Sequence, residues 1–386
     1  MTEILVQNIR IALENGQVIH GEILIRNGKI VQIAKEPNQY YQGKRLDGQA
    51  LLALPGFIDI HIHGAMGADF MDGEEEATRR VAEYLPKEGT TSFLVTTMTQ
   101  APGSIQKAIE INTKVRSNSK GAEMLGFHLE GPFINKEFAG AQPVDYICNP
   151  SKSTIKEWFG EQLEHLKIVT LAPEKDANYD VTRYLSDNGI IVSAGHTKAT
   201  LLDITEAMEN GLTQLTHYGN AMSGLHHREI GVVGAGLLNA HLFCEVIADG
   251  VHLSDDMLKL IYKIIGPDRM ILITDSMRAK GMPNGKYTLG NQEVTINGNE
   301  ARLENGVLAG SVLKMNEALK RIYRLVHPPV EDLVKMSSSN AAHRLGIFER
   351  KGSIKVGKDA DIVLLNDEFE VIYTFCKGEL VYSANS

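Results

Sequence analysis

Histidine, glutamate and aspartate close five apolar runs of this chain. They are DIHIHG at Asp59 to Gly64, HLEGP at His128 to Pro132, SAGHT at Ser193 to Thr197, LTHYGN at Leu215 to Asn220, and ITDSM at Ile273 to Met277. Imidazole nitrogens and carboxylate oxygens suit a divalent ion such as zinc or iron, and the absence of a cysteine ligand argues against a closed structural site. His61 and His63 are two apart, so on a strand they point the same way and can grip one ion. A lone HxH is common by chance on edge strands. Glu130 and His196 strengthen the metal reading, because a carboxylate at the end of a buried strand seldom stays unpaired. An open metal site acidifies water and polarises a carbonyl, so hydrolysis of an amide or ester is the expected chemistry. Asp275 is the expected proton shuttle, a base towards water and then an acid towards the departing amine. The competing readings make it a further metal ligand or a cap ahead of SMRAKG.

These residues need a frame that brings strand ends together. Eight β-prone runs, LLALPGFIDIHI, TSFLVTT, EMLGFHLE, KIVTLA, GIIVSAGH, QLTHY, FCEVIADG and MILITD, occur in turn. Most are followed by helical stretches such as EEEATRRVAEYL, SIQKAIEINTKV or DDMLKLIYKII. Near-continuous apolar strands are what a parallel sheet buried on both faces requires. The pattern predicts a (β/α)8 TIM barrel with its chemistry at the carboxyl ends of the strands. Strand-like sequence with Asn15-Gly16 and Asn27-Gly28 turns precedes it, and short β-prone runs (ADIVLL, VIYTF) follow it. The two terminal segments, 1–53 and 346–386, are expected to form one small β-sandwich domain beside a catalytic barrel at 54–345. Asn284 to Leu308 reads as a hairpin insertion after the eighth strand.

Composition limits the partners. The chain has 386 residues, enough for a barrel plus a smaller domain, and a formal net charge of -9. That sign argues against nucleic acid or an anionic membrane, so an anionic ligand must be met by a local cluster of cations. Three widely spaced cysteines without a CxxC pair suit a reducing compartment. With no basic-then-apolar start and no long apolar run, a cytoplasmic location is expected.

In order, DIHIHG, HLEGPF, AGHT, THYGNAM, ADGVH and TDSM resemble the amidohydrolase superfamily, and within it the N-acetylglucosamine-6-phosphate deacetylases, over nearly the whole chain. HLEGPF with THxxNAM discriminates, since its glutamate stands where hydantoinase-type relatives use a carboxylated lysine. The resemblance implies removal of the acetyl group from N-acetyl-D-glucosamine 6-phosphate, giving D-glucosamine 6-phosphate and acetate in amino-sugar catabolism. It makes Glu130, His196 and His217 the principal metal ligands and Asp275 the catalytic aspartate. His61 and His63 match a first-strand pair that some members lack, so one or two ions per subunit are implied, with Glu130 bridging when there are two.

For the substrate, the resemblance points to Arg228 as a phosphate ligand in a segment that lies at a homodimer interface and serves the neighbouring subunit. His252 matches a substrate-contacting histidine, Asn220 and Ala221 match contacts to the sugar phosphate, and Leu308, Ala309 and Gly310 match a loop closing over the sugar. Ala141-Gln142 stands where Ala-His is expected, so a glutamine replaces the histidine that meets the acetyl carbonyl; its amide still donates a hydrogen bond, without the option of a positive charge. His226 and His227 are expected to be loop residues at the dimer surface, and His128 to support the ligands by hydrogen bonding. The rival readings are a deacetylase for the galactosamine epimer, a non-catalytic metal-binding scaffold, and a nucleobase deaminase.

Overall fold

The computed structural model describes residues 3–115 and 120–384. Among them, eight parallel strands follow one another around a barrel: Phe57–Ile62, Thr90–Thr96, Glu123–Glu130, Leu166–Leu171, Ile191–Ala194, Leu212–Leu215, Phe243–Ile247 and Met270–Ile273. Nearly every residue in them is buried, because side chains on one face fill the lumen while those on the other meet helices. Helices return the chain between most strands, with local stops written into the sequence. Ser254 accepts the N–H of Met257 to start Asp255–Ile264, and Thr200 with Asp203 forms a capping box ahead of Leu201–Glu209.

The barrel closes where the chain leaves the eighth strand. The Asp275 N–H donates to the His61 carbonyl at 2.8 Å, and the N–H groups of His63 and Gly64 both donate to the Ser276 carbonyl, at 2.9 and 3.0 Å. The buried Asp59 carboxyl adds a side-chain stitch by accepting the Thr274 hydroxyl at 2.5 Å. Burial, opposed by the Lys280 charge and the Thr274 hydroxyl, leaves the Asp59 pKa raised to about 6.

The termini meet in a separate sheet that joins Glu3–Ala12, Val18–Arg26, Lys29–Ala34, Lys44–Asp47 and Leu52–Pro55 to Ile362–Leu365, Val371–Cys376 and Glu379–Ser383. The fold is thus a TIM barrel with a β-sandwich domain built from both ends of the chain. The Asn27-Gly28 turn has φ of 49° and 80°, the left-handed pair that a two-residue hairpin needs.

Two expectations are corrected in detail. LLALPGFIDIHI is two strands rather than one: Leu52–Pro55 pairs with Ile362–Leu365 in the terminal sheet, and Phe57–Ile62 begins the barrel. Gly56 makes the crossing possible, because a Cβ there would lie 2.2 Å from the Thr91 hydroxyl. The 284–308 insertion is a three-stranded meander, Gly285–Leu289, Gln292–Asn297 and Glu300–Leu303. It buries Val294 and Ile296 against Met98, Met277 and Ala309. No helix among the described residues is long and apolar enough to cross a membrane.

Candidate metal centre

Glu130 ends the third strand, and the other strand-end groups gather around its carboxylate. Its Oε1 lies 3.2 Å from His196 Nε2 and 3.1 Å from His217 Nε2, and these two nitrogens are 3.0 Å apart. Ligand atoms about 2.0–2.1 Å from a zinc-like ion sit roughly 3.3 Å from one another in a tetrahedron, so this triangle has the dimensions of a coordination shell. His61 Nε2 approaches the same Oε1 at 3.5 Å, while His63 Nε2 lies 3.4 Å from Oε2. Asp275 Oδ1 completes a second group, 3.6 Å from His61 Nε2 and 3.3 Å from His63 Nε2. Glu130 stands between the two groups and offers an oxygen to each.

His61 Nε2 is buried and has no hydrogen-bond partner, although its environment is polar. An orphaned imidazole nitrogen facing two carboxylates fits a divalent ion, since such a group is costly to bury otherwise. The backbone is also held in an uncommon state here. His196, His217 and Asp275 have φ of 49°, 31° and 48°, in the left-handed region that lets each side chain turn inward as its strand ends.

Burial works against every charge in the cluster, yet the groups sustain one another. Burial pulls the His63 imidazolium down, but hydrogen bonds to Asp275 and Glu130 outweigh it and lift its pKa to about 10. Burial pushes Asp275 up, and the facing His61 and His63 more than reverse this, bringing it to about 2. Glu130 is likewise held well below the usual carboxylate range, against burial, by His61, His196 and His217. Protons on His61 and His63 thus compensate a site that is anionic at heart, which is where a cation belongs.

Two buried residues support the ligands: Glu245, which the sequence did not single out, and His128, which it did. Glu245, on the seventh strand and fully buried, accepts from His61 Nδ1 at 2.9 Å and from the Gln214 amide at 2.8 Å. The only signal was an acid inside the otherwise apolar FCEVI. His128 is placed behind the ligands, with Nδ1 3.0 Å from the Ile60 carbonyl and Nε2 2.7 Å from the Thr170 hydroxyl. That hydroxyl meets Thr216 at 2.6 Å, which meets Ser193 at 2.6 Å, and the chain of polar groups fills the lumen below the site. Burial, reinforced by His61, depresses His128 to about 4, so the ring is neutral at neutral pH.

A cavity of about 360 Å³ opens over the cluster. His63, Glu130, His196, His217 and Asp275 form part of its lining, together with Ala141, Gln142, Asn220, Ala221, His252, Leu308 and Gly310. His252 is held by Asp249, whose Oδ2 lies 2.6 Å from its Nδ1. Two expected residues stand elsewhere. Ala309 is wholly buried beneath the meander, where its N–H bonds the Ala301 carbonyl, so it shapes the loop without facing the cavity. Arg228 lies on an exposed loop, 2.7 Å from His227 Nε2, and does not line the cavity of its own chain.

A barrel of this kind with histidines and carboxylates at its strand ends defines a metal-dependent hydrolase, and the chain belongs to the amidohydrolase family, whose pattern matches residues 52–381. It is 43% identical over 384 residues to the N-acetylglucosamine-6-phosphate deacetylase of Bacillus subtilis, covering 98% of this chain and 97% of the relative. The enzyme of the same name from Lysinibacillus sphaericus is 40% identical, with 99% of each covered. Among solved structures, the N-acetylglucosamine-6-phosphate deacetylase of Thermotoga maritima superposes with a TM-score of 0.89 at 34% identity, covering 98% of this chain and 100% of the other.

Proposed function

We propose that this chain is a metal-dependent deacetylase that hydrolyses N-acetyl-D-glucosamine 6-phosphate to D-glucosamine 6-phosphate and acetate, in amino-sugar metabolism. The observation that carries this reading is Glu130 shared between the His196–His217 pair and the His61–His63–Asp275 group, all but the buried His61 lining one cavity. A divalent ion, zinc or iron, bound by these residues supplies Lewis acidity to the acetamide carbonyl and lowers the pKa of water beside it.

The chain's own residues do the rest. Asp275, ionised at neutral pH, takes the proton of the attacking water and passes it to the sugar nitrogen as the amide bond breaks. Gln142 Nε2 spends one N–H on Glu130 at 2.7 Å and directs its second towards the acetyl oxygen. His252, its Nδ1 committed to Asp249, offers Nε2 to the substrate. Asn220 and the backbone of Ala221 face the sugar phosphate, with Ala141, Leu308 and Gly310 packing around the ring and Ala309 supporting that loop. Arg228 reaches a phosphate from the neighbouring subunit, which makes the working unit a homodimer, and its exposed position outside its own cavity supports this; the enzyme's place is the cytoplasm.

Acetate release from N-acetylglucosamine 6-phosphate, measured alongside metal content, tests the proposal. Turnover of the sugar phosphate should far exceed that of the galactosamine epimer and of unphosphorylated N-acetylglucosamine. Equal or faster turnover of the epimer would reassign the substrate, and a metal-replete protein releasing no acetate would end the enzyme reading.

A further inference from the structure

Glu245 is a fully buried carboxylate whose side-chain partners among the described residues are His61 and Gln214. Its side chain is fully buried, and no lysine or arginine among the described residues pairs with it. Its oxygens have three donors: the Gln214 amide on Oε1 at 2.8 Å, and the His61 ring and His217 backbone N–H on Oε2 at 2.9 and 3.3 Å. An ionised group so placed is stable only if opposite charge is delivered through its partners. Among its hydrogen-bonding side chains only the His61 ring can carry charge, and the far nitrogen of that ring, Nε2, is the orphan that faces Glu130 and Asp275.

We infer that Glu245 is a positioning residue for a second metal ion: its carboxylate holds His61 by Nδ1 and aims Nε2 at Glu130 and Asp275, and so makes the His61–His63–Asp275 group a ligand set. The inference rests on the metal-dependent reading above and deepens it by giving the two positions different supports. A carboxylate behind an imidazole makes the ring a stronger donor and locks its orientation. His196 is backed only by the neutral Phe138 carbonyl, at 2.9 Å from its Nδ1, and His217 Nδ1 has no partner. The anionic support is therefore given to one side of the centre, and His61 is the ligand that receives it.

Glu245→Gln separates charge from shape. Gln214 Oε1 is unpaired, so a flipped Gln214 amide can accept from the new side chain, while the other end still accepts from His61. The test is a titration of the metal-free full-length protein with zinc, followed by isothermal calorimetry and by metal analysis after dialysis. Wild-type protein should take up two ions. Glu245→Gln should hold the first with unchanged affinity and the second about 10–100-fold more weakly, and Glu245→Ala should hold one. Matching thermal melting curves of the metal-free proteins would show that folding is not the cause. Two ions bound by Glu245→Gln with wild-type affinities would overturn the inference while leaving the metal-dependent reading intact. A wild-type protein that takes up a single ion overturns the inference, and one that takes up none overturns both.

Discussion

Gln142 donates to Oε2 of Glu130 across 2.7 Å while its own Oε1 accepts the Thr99 N–H at 2.8 Å. Both ends of the amide are thereby committed, and the carboxylate at the centre of the cluster is held from the cavity side. Gln142→Ala removes that restraint and the donor towards the acetyl group together. Its kcat should fall about 100-fold or more, with faster metal loss to a chelator. Wild-type kinetics in this variant would show that the amide is a spectator.

Asp275 tests the proton path. Asp275→Asn keeps the side chain's size and its Oδ1 ligand atom but cannot accept a proton. Metal content should remain near normal while turnover drops by several orders of magnitude, about what loss of an essential acid-base group costs. Steady-state assays with parallel metal analysis decide it, and substantial residual turnover would remove Asp275 from the mechanism.

Metal uptake should release protons. The folded, metal-free protein holds a proton on His63 with a pKa raised to about 10 from 6.5. A raised pKa contributes stability that is fully present below 6.5 and lost as pH climbs through about 10. The metal-free protein should therefore lose melting temperature between pH 7 and pH 10, whereas a bound ion replaces that proton and tightens as pH rises. Calorimetric titrations in two buffers of different ionisation enthalpy measure the protons released; a count of zero contradicts the assignment.

Arg228 should matter only when a phosphate and a second subunit are present. Arg228→Ala should raise KM for the phosphorylated sugar about tenfold or more and leave the weak turnover of the unphosphorylated sugar unchanged. Mixing inactive Asp275→Asn chains with Arg228→Ala chains should restore high-affinity turnover in the hybrid dimer, where one site receives an intact aspartate and an intact arginine. No recovery on mixing would confine Arg228 to its own subunit or to no role.

Lys280 and Glu88 form an ion pair at 2.9 Å with both side chains wholly shielded from solvent. Removing one partner leaves a buried charge uncompensated. Lys280→Met should cost about 3–5 kcal/mol in urea unfolding, and a loss below 1 kcal/mol would mean that water reaches the remaining carboxylate.

Much of this architecture was legible because it follows from chain-local chemistry. The eight apolar runs mark strands that must be buried on both sides, and the HxH spacing of His61 and His63 turns two rings to one face wherever the strand lies. What the sequence hid depends on neighbours distant in the chain. Glu245 acquires its meaning from His61, 184 positions away, and FCEVI alone does not say which face its acid occupies. The break within LLALPGFIDIHI was marked by Pro55-Gly56, but the choice to change sheets is made by the partner strands Ile362–Leu365 and Thr90–Thr96. Ala309 reads as loop and is core, because the meander that covers it is itself an insertion. Arg228 cannot be understood from one chain when its proposed target belongs to another.

The hydrogen bond from the Asp275 N–H to the His61 carbonyl joins positions 214 residues apart at the seam of the barrel. A ribosome that has emitted the first seven strands has released both first-strand histidines, the glutamate and the two later histidines, but not the aspartate or the seam that sets its distance from them. The nascent chain therefore carries Glu130, His196 and His217 well before its second group can form, and the His61–His63–Asp275 set becomes complete in the same event that shuts the cylinder.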